Sequence, residues 1–320
     1  MVILGTEIGI GKTVLSLDIA KLHTRTSLDV PIIIQRSKTP GPTLLLMAGI
    51  HGDEVNGVEI VRQIIQKKFN KPTRGTIICI PVVNVFGFLN QERKFPDGRD
   101  LNRVFPGSEK GSLAARFANS IIKEIVPHID YCIDFHTGGG NRFNYSQIRI
   151  DGTIPECLEL ATAFGSKFIL DSPLRDKSFR EAASRLGKKV LLFEGGKNIH
   201  LDKNVTKRAI KGTLQVIQHL GMRDFTQELS EMNIPNEPQF LIKKSTWIRA
   251  NLSGMYRRRV SIGQKVLKGE VFGSISDPYG DFEKNVKTTH TGFVIGSSHS
   301  PIVNQGDALI HISTEHEEIV

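Results

Sequence analysis

The sequence has few cysteines, few aromatic residues and no long apolar run. Its 320 residues include three cysteines and one tryptophan, and aromatic residues make up 7%. Three widely separated cysteines exclude a small disulfide-rich scaffold, and we expect all three to be reduced structural thiols. The apolar run at residues 44–50 is far shorter than the roughly 18 to 20 residues that a membrane-spanning helix needs. We therefore expect no membrane partner.

The first twenty residues lack the features of a secretory signal peptide. No basic segment leads them, and Glu7, Lys12 and Asp18 interrupt the apolar stretch. A signal peptide has a basic start followed by an uninterrupted apolar region. We therefore expect a cytoplasmic protein.

Positive charge is the unusual feature of the composition. The chain has 42 lysines and arginines against 33 aspartates and glutamates, a formal net charge of +9. Such an excess indicates an anionic partner, and nucleic acid is the first class to consider. The basic residues are scattered, however, and the densest cluster, Arg257 to Arg259, is only three residues long. We therefore do not expect nucleic-acid binding.

The hydrophobic pattern predicts an α/β fold with a mixed central sheet flanked by helices. Up to about residue 43, short β-branched runs alternate with turn residues, which indicates antiparallel strands. Beyond this point, apolar runs alternate with stretches whose apolar residues recur three and four positions apart. The predicted strands cover residues 44–48, 76–82, 131–135, 168–170 and 190–193, and the predicted helices cover residues 58–69, 113–125, 156–164, 179–186 and 205–220.

The helical periodicity fades at residues 226–238, and we place a domain boundary there. The first predicted domain, residues 1–225, is the catalytic one, with the strands of residues 1–43 packed on it. The second, residues 226–320, is predicted to be a smaller all-β domain because glycines separate its short strand-like runs. Two similar glycine-containing halves after residue 263 resemble those of a barrel-sandwich hybrid.

Three short polar blocks follow three of the predicted strands. They are HGDE at residues 51–54, DFHTG at 134–138 and EGG at 194–196. Ligands of open α/β sheets bind outside the carboxyl ends of the strands. We therefore expect the three blocks to meet at one edge of the sheet.

The blocks contain candidate metal ligands and a candidate base. His51 and Glu54 are three residues apart and can converge on one ion together with His136. Two histidines and one carboxylate are a ligand set of catalytic zinc that leaves a fourth position for water. Glu194 would then act as the general base. The alternative for each histidine is a hydrogen-bonded structural role, which would have to hold at both positions.

Asp134 lies two residues before His136. In a strand, this spacing places both side chains on one face. We expect Asp134 to lie near the zinc site, where it would orient a ligand histidine or the zinc water. The alternative is a buried carboxylate whose hydrogen bonds come from backbone donors.

A loop with three arginines, RKFPDGRDLNRVFPG, covers residues 93–107. Loops over a rigid sheet often contain functional residues, and the planar guanidinium of arginine matches a carboxylate in two places. A solvated position is expected for Arg99. Asn102 and Arg103 are better candidates for a binding role because apolar residues flank the pair.

Four blocks together resemble the succinylglutamate desuccinylase/aspartoacylase family, a branch of the zinc carboxypeptidase-like fold. They are GIHGDE at residues 49–54, DLNRVFPG at 100–107, DFHTG at 134–138 and FEGG at 193–196, in this order. The likeness extends from about residue 30 to the C-terminus. Within the family, the sequence is most similar to bacterial predicted deacylases.

The resemblance implies a metal site and a base. His51, Glu54 and His136 match the zinc ligands of the family, with one Zn²⁺ per chain, and Glu194 matches its general base and acid.

The resemblance also implies how substrate is held. Asn102 and Arg103 match the pair that binds a substrate carboxylate, and Arg93 is similar to the arginine that polarises the scissile carbonyl. A tyrosine that contacts substrate in some relatives has no clear match.

The resemblance implies a zinc-dependent hydrolase that cleaves the amide bond of a small, anionic N-acylated amino acid or related amine. A zinc carboxypeptidase that acts on short peptides is the alternative within this class. A non-catalytic protein that binds nucleic acid or another polyanion is the alternative of a different class. We expect the C-terminal β domain to crowd the site and exclude long peptides. The oligomeric state stays open, and a homo-oligomer is one alternative.

Overall fold

The computed structural model describes residues 1–21, 25 and 27–319. The strands of this part of the chain are β1 (Val2–Ile3), β2 (Thr6–Glu7), β3 (Gly11–Lys21), β4 (Ser27–Arg36), β5 (Thr39–Ala48), β6 (Arg74–Ile80), β7 (Tyr131–Gly138), β8 (Arg142–Ile150), β9 (Phe168–Asp171), β10 (Lys189–Lys197), β11 (Gln239–Arg249), β12 (Gly254–Arg258), β13 (Lys265–Val266), β14 (Val271–Ser276), β15 (Glu283–Lys287), β16 (Gly292–Ser298), β17 (Ile302–Val303) and β18 (Ala308–Ile319).

The helices alternate with the central strands. They are α1 (Val55–Gln66), α2 (Val85–Asn90), α3 (Leu113–Glu124), α4 (Pro155–Phe164), α5 (Phe179–Arg185), α6 (Lys203–His219) and α7 (Thr226–Glu231), together with two short 3₁₀ helices, Leu101–Arg103 and Val126–His128. Among the described residues, no helix has both the length and the apolar character needed to cross a membrane.

Twelve of the strands form one mixed sheet. Its order is β13-β16-β18-β11-β9-β8-β10-β7-β5-β6-β4-β3. In its centre β10, β7, β5 and β6 are parallel, which requires crossover connections such as the helices between them. At one edge β3, β4 and β6 are antiparallel neighbours. The mixed central sheet predicted from the hydrophobic pattern is confirmed.

Helices cover both faces of the sheet because its central strands are apolar on both sides. In β5, Leu44 and Leu46 belong to the apolar core that α1, α4 and α6 cover. Leu45 and Met47 point the other way, into the core that α3 and α5 cover. The polar groups of the site therefore have to lie at the strand ends, beyond these apolar layers.

All five predicted central strands and all five predicted helices are present, with ends that differ by a few residues. Two elements that frame the site were not predicted, β8 and α2. Polar residues interrupt the sequence of β8, so that it does not form the continuous apolar run by which the other strands were predicted. Helix α2 is only 6 residues long, too short for a clear periodicity.

Strands of the C-terminal segment close a small barrel with strands of the central sheet. β11 pairs with β9, and β16 pairs with both β18 and β8, so that β8, β9, β11, β18 and β16 form a ring. Its apolar interior consists of Phe168, Leu170, Ile242, Phe293 and Ile295. The strands β15, β14, β12 and β17 form a separate four-stranded sheet.

The predicted boundary near residue 225 falls between elements, but the sheet continues across it through the pairing of β9 with β11. The division into residues 1–225 and 226–320 therefore stays a prediction, as does the resemblance to a barrel-sandwich hybrid. Helix α7 lies within the part predicted to be all-β, and from Gln239 onward the regular elements of the described chain are strands.

The three cysteines, Cys79, Cys132 and Cys157, are free and buried in the core. Burial raises the pKa of the Cys79 thiol to about 12. Such thiols behave as small apolar side chains, which confirms the structural role expected for them.

Candidate active site

Two histidines and a glutamate meet at the carboxyl ends of β5 and β7. His51 and Glu54 lie between β5 and α1, and His136 lies within β7. Nδ1 of His51 is 2.8 Å from Oε1 of Glu54, and Nδ1 of His136 is 2.9 Å from Oε2 of the same carboxylate. All three are buried, with relative exposures of 4%, 2% and 3%. The structure thus brings together the three residues predicted as metal ligands.

Gly52 lets the turn that holds His51 and Glu54 lie directly against α2. A Cβ atom at this position would lie 1.9 Å from the carbonyl carbon of Gly87 in that helix. Any side chain would therefore displace backbone rather than another side chain. The close approach explains why a glycine stands between the two candidate ligands.

The second ring nitrogen of each histidine contacts a further carboxylate. Nε2 of His51 is 3.1 Å from Oδ1 of Asp100, and Nε2 of His136 is 2.9 Å from Oδ2 of Asp134. Metal-ligating histidines are commonly held this way, because the carboxylate fixes the ring and leaves the other nitrogen for the metal. Asp134 lies beside a candidate ligand, as we expected. The contact of Asp100 was not predicted.

These neighbours determine the charge of the cluster. Burial lowers the pKa of His136, but Asp134 and Glu54 outweigh this effect, so that the pKa lies well above its ordinary value. The pKa of His51 is raised as well, since Glu54 and Asp100 outweigh its burial. Burial raises the pKa of Glu54, but the two histidines bring it well below the ordinary value. Glu54 is therefore an ionised carboxylate between two imidazoles.

The donor set fits Zn²⁺. One ligand atom from each of His51, Glu54 and His136 lies within 4.8 Å of the others. Imidazole nitrogen and carboxylate oxygen are both zinc ligands, and three protein ligands are typical of a catalytic zinc. These three residues would hold the ion, and Asp100 and Asp134 would orient the two histidines.

Arg93 lies beside this cluster. Its Nη1 donates to Oε1 of Glu54 at 3.2 Å, and its Nε and Nη2 donate to Oδ2 of Asp100 at 3.0 and 2.8 Å. The side chain is 37% exposed. Arg93 is therefore held by two carboxylates at the border between the buried cluster and the cleft.

Asn102 and Arg103 lie on the short 3₁₀ helix that Asp100 caps. Oδ1 of Asp100 accepts a hydrogen bond from the backbone nitrogen of Asn102 at 2.9 Å. Oδ1 of Asn102 in turn accepts from the backbone nitrogen of Phe179 at 2.8 Å, where α5 begins. Both residues line the cleft. Burial lowers the pKa of Arg103, and the nearby Arg175 and Arg93 act in the same direction.

Glu194 of β10 faces the same cleft. β10 and β7 run parallel, with Glu194 aligned with His136 and Leu192 aligned with Asp134. Oε2 of Glu194 accepts a hydrogen bond from Nδ2 of Asn144 at 2.8 Å, and Oε1 is 3.8 Å from Nη2 of Arg149. The candidate base therefore lies across from the candidate metal ligands, on a neighbouring strand.

The cleft has a volume of about 560 Å³, and all seven predicted site residues line it. Further polar and aromatic lining residues that the sequence did not indicate include Arg142, Asn144, Arg149, Arg175, Arg180 and Trp247. The lining thus contains six arginines but only two carboxylates, those of Glu54 and Glu194. This imbalance favours an anionic ligand.

Arg180 of α5 is a buried arginine at this cleft. It is 4% exposed, and its Nη2 donates to the backbone oxygens of Ser172 and Pro173 at 3.1 and 2.9 Å. Its Nη1 is buried and has no hydrogen-bond partner among residues 1–21, 25 and 27–319. Burial, together with the nearby Arg149, lowers the pKa of Arg180 to about 10. The sequence contained one signal for this residue, because Arg180 is a charged residue close to the apolar residues Phe179, Ala182 and Ala183 of the same helix.

β8 contributes three of the residues that were missed, Arg142, Asn144 and Arg149. Its sequence, RFNYSQIRI, alternates polar with aromatic or aliphatic residues, although the phase of the alternation changes near its middle. Alternation of this kind is typical of a half-buried strand. The strand could have been predicted from this pattern, but its neighbours in the sheet could not.

Comparisons with known proteins identify the family and the fold of the chain. Residues 40–220 match the family model of the succinylglutamate desuccinylase/aspartoacylase catalytic domain. A curated relative, the N-alpha-acetyl-L-2,4-diaminobutyric acid deacetylase of Halomonas elongata, is 26% identical over 306 residues. The alignment covers 91% of this chain and 87% of the relative.

Solved structures share the fold. A succinylglutamate desuccinylase/aspartoacylase from Rhodobacter sphaeroides superposes with a TM-score of 0.82 at 22% identity, covering 97% of each chain. The product-bound ectoine utilization protein EutE (DoeB) from Ruegeria pomeroyi superposes with a TM-score of 0.81 at 20% identity, covering 96% of each chain. The mixed α/β fold is that of these structures. Since the family model spans more than half of the 320 residues, the chain belongs to the succinylglutamate desuccinylase/aspartoacylase family.

Proposed function

We propose that the protein is a zinc-dependent deacylase that hydrolyses the amide bond of a small, anionic N-acylated amino acid or related amine. The observation that carries this proposal is that Glu194 shares one cleft with the cluster of His51, Glu54 and His136. A protein that only binds a ligand has no use for a base opposite a metal site. The similarity to a deacetylase supports the same reaction class. We place the activity in the cytoplasm, where free thiols such as these stay reduced.

Glu194 would transfer the protons of the reaction. Its carboxylate takes a proton from the attacking water and then donates a proton to the leaving amine, so that one side chain acts first as base and then as acid. Zn²⁺ supplies Lewis-acid chemistry when bound, which polarises the amide carbonyl and makes water acidic enough to lose a proton near neutral pH.

The loop of residues 93–107 would orient the substrate. The guanidinium of Arg93 lies next to the cluster, and its donors can stabilise negative charge on the carbonyl oxygen. Asn102 and Arg103 would bind the substrate carboxylate, for which arginine provides paired donors. Asp100 contacts His51 and Arg93 and caps the helix of Asn102, so that it ties these groups together.

The charge of the cleft favours acidic or neutral substrates over cationic ones. The curated relative is named for a diaminobutyric acid derivative, which has a free amine besides the acetylated one. In this chain six arginines line the cleft. Like charges repel strongly in a partly buried site, so we expect N-acylated amino acids with acidic or neutral side chains to be better substrates than N-acetyl-diaminobutyrate.

Trp247 favours a deacylase over a zinc carboxypeptidase that acts on short peptides. It belongs to β11 of the closed barrel and lines the cleft. His311 stacks on its ring at a centroid distance of 4.8 Å, and the guanidinium of Arg142 lies 5.6 Å from the same centroid. These two contacts hold the bulky side chain of Trp247 at the cleft, which supports the expectation that the C-terminal strands crowd the site.

A metal measurement and a substrate panel test the proposed function. We expect about one zinc per chain by elemental analysis, and hydrolysis of N-acetyl, N-succinyl or N-formyl amino acids by the zinc-loaded protein. Dipeptides and N-acetyl-diaminobutyrate should be poorer substrates. Chelation should abolish turnover, and added Zn²⁺ should restore it. Faster cleavage of dipeptides would favour the carboxypeptidase, and binding of a polyanion without zinc or turnover would favour the binding protein.

A further inference from the structure

We propose that the pairing of β16 with β8, which completes the barrel, positions Glu194 through the side chain of Asn144. The inference rests on the proposed function, because it concerns the residue that would act as its base. In this proposal Asn144 is a positioning residue, and β16 helps to orient the Glu194 carboxylate for proton transfer by its contact with Asn144.

Asn144 is the hydrogen-bond donor that holds Glu194. The donor atom Nδ2 lies 2.8 Å from Oε2, whereas the nearest guanidinium nitrogen of Arg149 lies 3.8 Å from Oε1, beyond hydrogen-bond distance. Within the described chain, no other side chain or backbone nitrogen donates a hydrogen bond to this carboxylate. A single donor therefore determines which way the carboxylate points.

Asn144 lies where three strands meet. It is aligned with Gly196 of β10 on one side and with Gly296 of β16 on the other. The register of the β10 and β8 pair shifts between Glu194 and Gly196. Bulges of this kind change the direction of a side chain next to a functional site.

The register shift explains how Asn144 reaches Glu194 at all. Arg149 and Gln147 lie two residues apart on β8, so that their side chains point to the same face of the strand. Arg149 lines the cleft. In a regular strand, the side chain of Asn144 would point to the opposite face from that of Arg149, because the two residues are five positions apart and successive side chains alternate between the faces. The irregular pairing turns its amide toward Glu194 instead.

Gly296 leaves room for this orientation. A Cβ atom there would lie 2.9 Å from Oδ1 of Asn144, 3.3 Å from the backbone oxygen of Phe143 and 3.4 Å from Cβ of His311. The distance of 2.9 Å to Oδ1 is too short for a carbon–oxygen contact, so the side chain of Asn144 would have to move. The amide of Asn144 therefore lies between the Glu194 carboxylate and the backbone of β16. Its orientation depends on a strand that the chain reaches only about a hundred residues after Glu194.

Substitutions of Asn144 distinguish a donor from a packing role. Asn144→Asp keeps the shape but replaces the donor with an oxygen that repels Glu194, whereas Asn144→Ala removes the group. If the donor matters, kcat should fall about 100-fold in Asn144→Asp and about 10-fold in Asn144→Ala, with KM and zinc content close to wild type. If Asn144 only packs, Asn144→Asp should resemble wild type and Asn144→Ala should be the poorer enzyme, which would overturn the proposal.

Gly296→Ala tests the contribution of β16, because it changes the contact of this strand with the side chain of Asn144. We expect a fall in kcat of about 10-fold, because the added methyl group displaces the amide. In the double variant with Asn144→Ala, Gly296→Ala should have little further effect, since the group through which it acts is gone. Independent, multiplicative losses would show that β16 does not act through Asn144.

Crystal structures provide a measurement that does not depend on turnover. In Asn144→Ala and Gly296→Ala, the Glu194 carboxylate should leave its wild-type position while His51, Glu54 and His136 keep theirs. A carboxylate that stays in place in both variants would overturn the proposal, even if activity falls.

If the wild type hydrolyses none of the acyl amino acids, the proposed function fails, and the displacement of Glu194 still decides whether Asn144 positions it. If Gly296→Ala does not fold, the Asn144 variants decide alone.

Discussion

The carboxylate of Glu54 contacts four polar residues in the candidate site. Its two oxygens contact Nδ1 of His51 and of His136, and they accept hydrogen bonds from the backbone nitrogen of Thr137 at 2.9 Å and from Arg93 at 3.2 Å. Removing it would take one of two carboxylate partners from each of His51, His136 and Arg93, which is destabilising in itself. Substitutions of Glu54 would therefore change both the stability of the fold and the activity. Glu194 lies outside this network.

Glu194→Gln should separate catalysis from metal binding. The amide keeps the size of the side chain but cannot accept the proton of water, so we expect kcat to fall by about 10² to 10⁴-fold with zinc content unchanged. His136→Ala, by contrast, should lose the zinc, because it removes one of the three candidate ligands. Elemental analysis and steady-state kinetics measure both effects.

Glu109→Gln is the matched control for Glu194→Gln. Glu109 is exposed and pairs with Lys123, and neither residue lines the cleft, so its loss should change neither zinc content nor kcat. Normal turnover in Glu194→Gln with zinc bound would show that another group acts as the base.

At the scale of elements, the turn after β5 is held by contact with α2. The backbone of Gly52 lies against Gly87, and Asn84 caps the helix by accepting a hydrogen bond from the nitrogen of Gly87 at 2.8 Å. Nδ2 of Asn84 also donates to the backbone oxygen of Lys94 at 3.0 Å, next to Arg93. Helix α2 thus connects the turn of the candidate ligands with the loop that would orient the substrate.

Gly52→Ala should destabilise the fold and weaken zinc binding. The Cβ atom would overlap backbone of α2, which has to move, and we expect a loss of about 3 kcal/mol in the free energy of unfolding. Denaturant titration measures the loss. Gly9→Ala is the control, because a Cβ atom there has nothing within 4 Å. Equal stability of the two variants would contradict the close contact between the turn and α2.

At the scale of the whole molecule, the catalytic and C-terminal parts share one barrel. β9 lies between β8 and β11, so that the first predicted domain contributes two strands of the ring, β8 and β9, and the second contributes three, β11, β16 and β18. The apolar side chains in its interior come from both parts as well, with Phe168 and Leu170 from the first and Phe293 from the second. Neither part buries these side chains alone.

A chain that ends at residue 225 should therefore not fold to a stable monomer. It would expose the edge of β9 and the side chains of Phe168 and Leu170, which favours association between chains. We expect aggregation in size-exclusion chromatography and weak near-ultraviolet circular dichroism. A monomeric fragment with cooperative unfolding would instead show that residues 1–225 form an independent domain, as the sequence predicts.

The sequence by itself determined the α/β pattern, the approximate positions of the central strands and the side chains most suited to chemistry. Apolar runs and helical periodicity are local properties, and the ligand and base types stand after a strand or near the carboxyl end of one, at the edge where these ends meet. His51, Glu54, His136 and Glu194 could therefore be named before the fold was known, and the structure places them in one cleft.

Only the tertiary structure decided what surrounds these residues. The contact of Asp100 with His51, the hydrogen bond from Asn144 to Glu194 and the buried position of Arg180 depend on segments far apart in the chain. The alignment of Asn144 with Gly296 likewise depends on a register shift and on the pairing of β16 with β8. Such pairings depend on which strand edges meet and in which register, and a single segment of sequence does not contain that information.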